Sequence, residues 1–127
     1  MILTSNFKTC AHLPQAVAIC RGVPRGWRGR RAIALAPSWE MVKSKLLPEA
    51  WMKVYRAQVL DKLDPQQIIQ GLGGDNFIML CWEAPGEFCH RRIVAVWMEA
   101  ATGIKIPEYD PGLREHQEWV RGMQKLQ

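Results

Sequence analysis

The stretch Asn76-Phe77-Ile78-Met79-Leu80-Cys81-Trp82 is a continuous apolar run. It is short enough for a strand and lacks the polar alternation of a half-exposed one, so it reads as the central strand of a parallel sheet. Glu83-Ala84-Pro85-Gly86-Glu87 follows, where proline and glycine impose a turn. From about Phe88 to Ala101, Ile93, Val94, Trp97 and Ala101 recur at helical spacing, and Gly103 supplies the stop. Strand, tight loop and helix in that order form a crossover unit.

Working outward from this unit, Ile2 to Thr4 and Ala16 to Cys20 read as two further strands, the second buried on both faces. Gly22 to Gly29 holds three glycines and a proline in eight positions, which predicts a long surface loop. Ser38 caps a helical pattern carried by Trp39, Val42 and Leu46, and Pro48 interrupts it. A second helix is expected from Glu49 to about Leu63, with Met52, Tyr55, Val59 and Leu63 on one face. Asp64-Pro65 opens a short helix that Gly71 to Gly74 ends. Ile104 to Ile106 reads as a last strand, and a polar helix spanning about 111–126 would dock through Leu113, Trp119, Val120 and Met123. This alternation predicts a small three-layer α/β domain covering 1–127, with a mostly parallel central sheet flanked by helices.

The composition is compatible with that plan. At 127 residues, 48% of them apolar, one core can form without metal or disulfide staples. No segment approaches the roughly 18 apolar residues of a membrane span, and the start, Met1-Ile2-Leu3-Thr4-Ser5-Asn6-Phe7, has no basic stretch before an apolar run, so a cytoplasmic protein without membrane contact is expected. The four scattered cysteines, Cys10, Cys20, Cys81 and Cys89, then read as reduced thiols. The formal charge of +5 is concentrated in Arg21, Arg25, Arg28, Arg30 and Arg31, a cluster able to attract phosphate, nucleic acid or an acidic partner. Nothing in the sequence sets the oligomeric state.

In open parallel sheets ligands bind at the carboxyl ends of strands. Glu83 leaves the central strand there, and Cys89, His90 and Arg91 fall in the first turn of the next helix, whose unpaired amides favour anions and lower a thiol's pKa. Glu83 could act as base, nucleophile or sugar-hydroxyl acceptor. The plainer readings are that Cys81 only packs the core and that Glu83 only pairs with Arg91 or Arg92. A phosphatase loop needs arginine as the sixth residue after its cysteine, whereas Glu87 stands there after Cys81. Metal is not expected, because Cys89 and His90 are adjacent and the sequence has no close cysteine pair. No other cofactor is implied. A cysteine hydrolase would need a second histidine, and neither His12 nor His116 has a local signature.

At this motif the chain resembles the domain of unknown function 488 family of bacteria, archaea and phages. The matching residues are Leu80-Cys81-Trp82-Glu83, Pro85 and Cys89-His90-Arg91, then an apolar helix; weaker similarity covers Thr4-Ser5, Phe7, Pro24, Trp27, Gly29, Leu35-Ala36-Pro37, Tyr55, Val59-Leu60 and Leu63. The arginine-rich loop departs from the family's pattern. The resemblance implies an α/β fold and a shared pocket around Glu83, Cys89, His90 and Arg91, and no substrate.

Three functions fit these residues. The first is a small enzyme or sensor for a phosphate-bearing, nucleotide-like molecule. In it Arg91 holds the anion, Glu83 engages the sugar or its glycosidic bond, and Cys89 and His90 position or react. Thr4, Ser5, Arg25, Trp27 and Tyr55 are then further ligand contacts. The second is a module that grips nucleic acid or a host protein through Arg21 to Arg31 and Trp27. The third is a redox or hydrolytic enzyme using Cys89.

Overall fold

The structure is a computed structural model and describes residues 1–124. Four strands, β1 (Ile2–Asn6), β2 (Ala16–Ala18), β3 (Arg30–Arg31) and β4 (Phe77–Cys81), form one all-parallel sheet in the order β1-β4-β2-β3. The run that reads as a central strand is central: Phe77 pairs with Ile2 and Cys81 with Asn6 on one side, while Met79 pairs with Val17 on the other. All five residues of β4 are buried, so both faces of the sheet are covered.

Alternation along the strands divides the core into two layers. Ile2, Val17, Phe77, Met79 and Cys81 face a cluster closed by α3 (Pro48–Gln58), α4 (Pro65–Leu72) and α5 (His90–Thr102). Leu3, Ala16, Ala18, Ile78 and Leu80 face the other, closed by α1 (Phe7–Cys10) and α6 (Arg114–Gln124). Met123, Trp119 and Val120 dock α6, but Leu113 lies exposed before it. The last residues of the expected helix fall outside those described. No described helix is long and apolar enough to cross a membrane.

Several boundaries differ from the sequence reading, each for a local reason. Asn6 accepts a bond from the Thr9 amide at 3.0 Å and so starts α1, which apolar periodicity does not reveal. The expected strand at Ile104 to Ile106 does not form. Its amides bond to helix side chains instead: Ile104 to Thr102 Oγ1 and Ile106 to Glu99 Oε2. The parallel contact with β1 comes later, at Glu108 opposite Thr4. The long second helix ends at Gln58, and a 3₁₀ turn at Leu60–Lys62 sinks Leu60 into the core. Pro48 starts α3 at a first-turn position where its missing amide costs nothing. The helix capped by Ser38, α2 (Trp39–Lys43), has just five residues, so Trp39, Val42 and Leu46 remain about half exposed instead of packing the core.

Candidate functional site

The carboxyl ends of β2 and β4 open into a cavity of about 410 Å³. Its apolar wall is made by Trp39, Val42, Leu46, Trp51, Trp82 and Phe88. Its chemical wall contains Cys20, Cys81, Glu83, Cys89 and His90. The short α2 explains why so much apolar surface is available: three of these side chains sit on or beside a helix too brief to bury them. Trp82 Nε1 donates to the Gly22 carbonyl at 2.8 Å and ties the loop after β4 to the loop after β2.

The turn from β4 to α5 reverses the chain sharply. Gly86 takes φ 89°, a conformation that disfavours any side chain, and the Ala84 amide bonds to Glu87 Oε1 at 2.8 Å. Cys89 is thereby the N-cap of α5 and its sulfur lies 2.8 Å from that of Cys81, eight positions earlier. Cys81, deeply buried and in contact with Cys89, is pushed well above the ordinary thiol range. Cys89 is lowered to about 4, chiefly by its contact with Cys81 and against the opposing effect of burial. Cys20 is pushed up to about 12, first by burial and then by nearby Cys89 and Glu83.

His90 Nε2 lies 2.5 Å from the Ile19 carbonyl oxygen. A carbonyl can only accept, so Nε2 carries a hydrogen, and in the neutral ring Nδ1 is left with its lone pair. Nδ1 is 3.7 Å from Cys81 Sγ and 4.0 Å from Cys89 Sγ. Tyr55 holds the ring edge-on at 5.5 Å and stacks on Trp51, and its own hydroxyl donates to the Leu35 carbonyl at 2.6 Å. It is wholly buried and packs against His90 without lining the cavity. Glu83 Oε2 is buried and has no hydrogen-bond partner among the described residues. Burial, then the neighbouring Cys89, raises its carboxyl above the usual carboxylate range.

The other residues singled out from the sequence lie elsewhere. Arg91, expected to hold an anion, is 1% exposed and turned away from the cavity: its guanidinium forms two bonds to Glu108, at 3.0 and 2.6 Å, and one to the Glu83 carbonyl at 2.9 Å. The first-turn amides are also engaged, Arg91 N with Cys89 Sγ and Arg92 N with Cys89 O. Thr4 Oγ1 donates to Glu108 and accepts from Arg92. Ser5 lies on the opposite face of the sheet, near Cys10. Arg25 is exposed, and Trp27 packs on Phe7 with its indole N–H on the Ala11 carbonyl, so neither lines the cavity. The loop contributes Arg21 and Gly22 instead.

Glu108 and the cavity tryptophans escape sequence reading because each acts across a long separation. Glu108 is 17 positions from Arg91 and 104 from Thr4. Compared with protein-family models, curated proteins and solved structures, the chain matches none of them.

Proposed function

We propose that this protein is an enzyme that hydrolyses a nucleoside-like small molecule, with Glu83 as its acid–base group. The observation that carries the reading is the buried, unpartnered Glu83 oxygen in a cavity whose lining includes the aromatic side chains Trp39, Trp51, Trp82 and Phe88. A buried polar atom left without a partner is costly, so its retention calls for a task. A volume of about 410 Å³ suits a molecule of nucleoside size, and indole faces complement a planar base.

In the reaction, a water oxygen attacks the sugar carbon that carries the base, and Glu83 takes the proton that the water gives up. The carbon–nitrogen bond breaks with its electron pair going to the base. Glu83 then returns the proton to that nitrogen, so sugar, free base and the original carboxylate result. Arg91 takes no part in this scheme. Among the described residues Arg21 is the one arginine or lysine on the lining, so a phosphate-bearing ligand would meet Arg21.

The test is a panel of nucleosides and their monophosphates, followed by tryptophan fluorescence for binding and chromatography for release of base. The expected result is quenching by at least one compound and turnover that Glu83→Gln lowers by about 10²- to 10⁴-fold with little change in affinity. Absence of both quenching and release across the panel rejects the reading. Loss of binding and turnover together in Glu83→Gln rejects the acid–base role.

A further inference from the structure

Cys81, Cys89 and His90 each offer one ligand atom, and these atoms all lie within 4.8 Å of one another. The three residues are buried, at 1%, 4% and 6% exposure, yet all three reach the wall of the cavity. They come from three different positions: the last residue of β4, the N-cap of α5 and its first residue. We propose that they hold a divalent metal ion of the zinc class, with its fourth position open to the cavity beside Glu83.

The donor chemistry is that of zinc: two sulfurs and one imidazole nitrogen. The histidine is oriented as metal-bound histidines are, with one ring nitrogen donating to a backbone carbonyl so that the other turns its lone pair to the ion. Around a tetrahedral ion with Zn–S near 2.3 Å and Zn–N near 2.0 Å, the sulfurs stand about 3.8 Å apart and each lies about 3.5 Å from the nitrogen. The nitrogen is already at 3.7 and 4.0 Å. The sulfurs stand at 2.8 Å, so taking up the ion requires them to part by about 1 Å.

Three protein ligands mark a catalytic ion, which keeps a water in the remaining position, whereas structural sites use four. The adjacency of Cys89 and His90 is no obstacle here, because the N-cap residue has extended backbone, φ −150° and ψ 142°, and so sends its side chain along a different path from that of a helical neighbour. The assignment of the ion stands on these three side chains. The role of its open position rests on the hydrolytic reading above: the ion would supply the attacking water in acidified form, and Glu83 would take its proton.

The test uses the full chain, reduced, stripped with a chelator and titrated with cobalt(II) alone. The expected result is one ion per chain, with the visible bands of tetrahedral cobalt and a near-ultraviolet thiolate charge-transfer band, displaced by zinc. Outer-shell changes cost about 10- to 100-fold in affinity, so Cys89→Ser, which removes a ligand, should cost more than about 100-fold, and Cys20→Ser should cost almost nothing. Wild-type protein that takes up no cobalt, or that forms a Cys81–Cys89 disulfide on mild oxidation without ever binding metal, overturns the proposal whether or not a variant folds. Glu83→Gln should bind cobalt normally. Loss of cobalt in that variant overturns the open fourth position. Cobalt binding without base release defeats the hydrolase and leaves the ion, whereas base release by metal-free protein defeats the ion's part in the reaction and leaves the hydrolase.

Discussion

Four consecutive residues at the start of α5 serve two different regions. Cys89 and His90 turn to the cavity, among Cys81, Glu83 and the tryptophans. Arg91 and Arg92 turn to the far side, where they meet Glu108, Thr4 and the Ile106 carbonyl. A helix advances about 100° per residue, so a single first turn can supply reactive groups to one side and structural ones to the other. The first region leaves polar capacity unused, notably at Glu83 Oε2. In the second, every side-chain nitrogen of Arg91 has a partner, and the bonds tie β1, the loop after β4, α5 and the returning chain at Glu108 into one frame. Unspent polar groups leave a place open to a ligand, and spent ones keep that place in shape.

The contrast can be broken most sharply at Arg91. Arg91→Ala removes a deeply buried cation that carries two bonds to Glu108 and one to a carbonyl, and should cost about 3–5 kcal/mol in urea unfolding. If stability hardly changed, the far side would not be the frame described here. A middle-sized effect is expected from Tyr55→Phe, which leaves the buried Leu35 carbonyl without its hydroxyl donor and should cost about 1–3 kcal/mol. Because the ring is kept, His90 should stay in place and cobalt binding should be nearly unchanged. The smallest change in stability should come from Trp39→Ala, within about 0.5 kcal/mol because the side chain is 54% exposed. That variant should nevertheless weaken ligand quenching, the reverse of the outcome at Arg91. A double substitution Arg25→Ala and Arg28→Ala should leave both stability and quenching unaltered, and a loss of salt-sensitive DNA or RNA binding in it would instead favour the basic-loop reading.

Much of the site's position was legible along the chain. The apolar run ending at Cys81, the Pro85-Gly86 turn and the periodic helix after it locate Glu83, Cys89 and His90 at a strand end, because these signals are local. The role of Arg91 was not legible. An arginine at a helix start looks like an anion ligand until its acidic partner is found, and Glu108 lies 17 residues on, in a segment that resembles a strand but spends its amides on helix side chains. The cysteine pair was hidden for the same reason. Cys81 and Cys89 have no recognisable metal spacing, and only the tight reversal at Gly86 brings their sulfurs together.

What the sequence alone determined is the crossover unit, the parallel character of the sheet and the segment that brings Cys81, Glu83, Cys89 and His90 to one strand end, all of which follow from hydrophobic period and turn chemistry within a few residues. Tertiary structure decided which side chains are free. It paired Arg91 with Glu108, left Trp39, Val42 and Leu46 on a cavity wall, and set two thiols and an imidazole within 4.8 Å. The physical reason is that a polar group's availability depends on partners distant in the chain, and no local pattern records which of them will arrive.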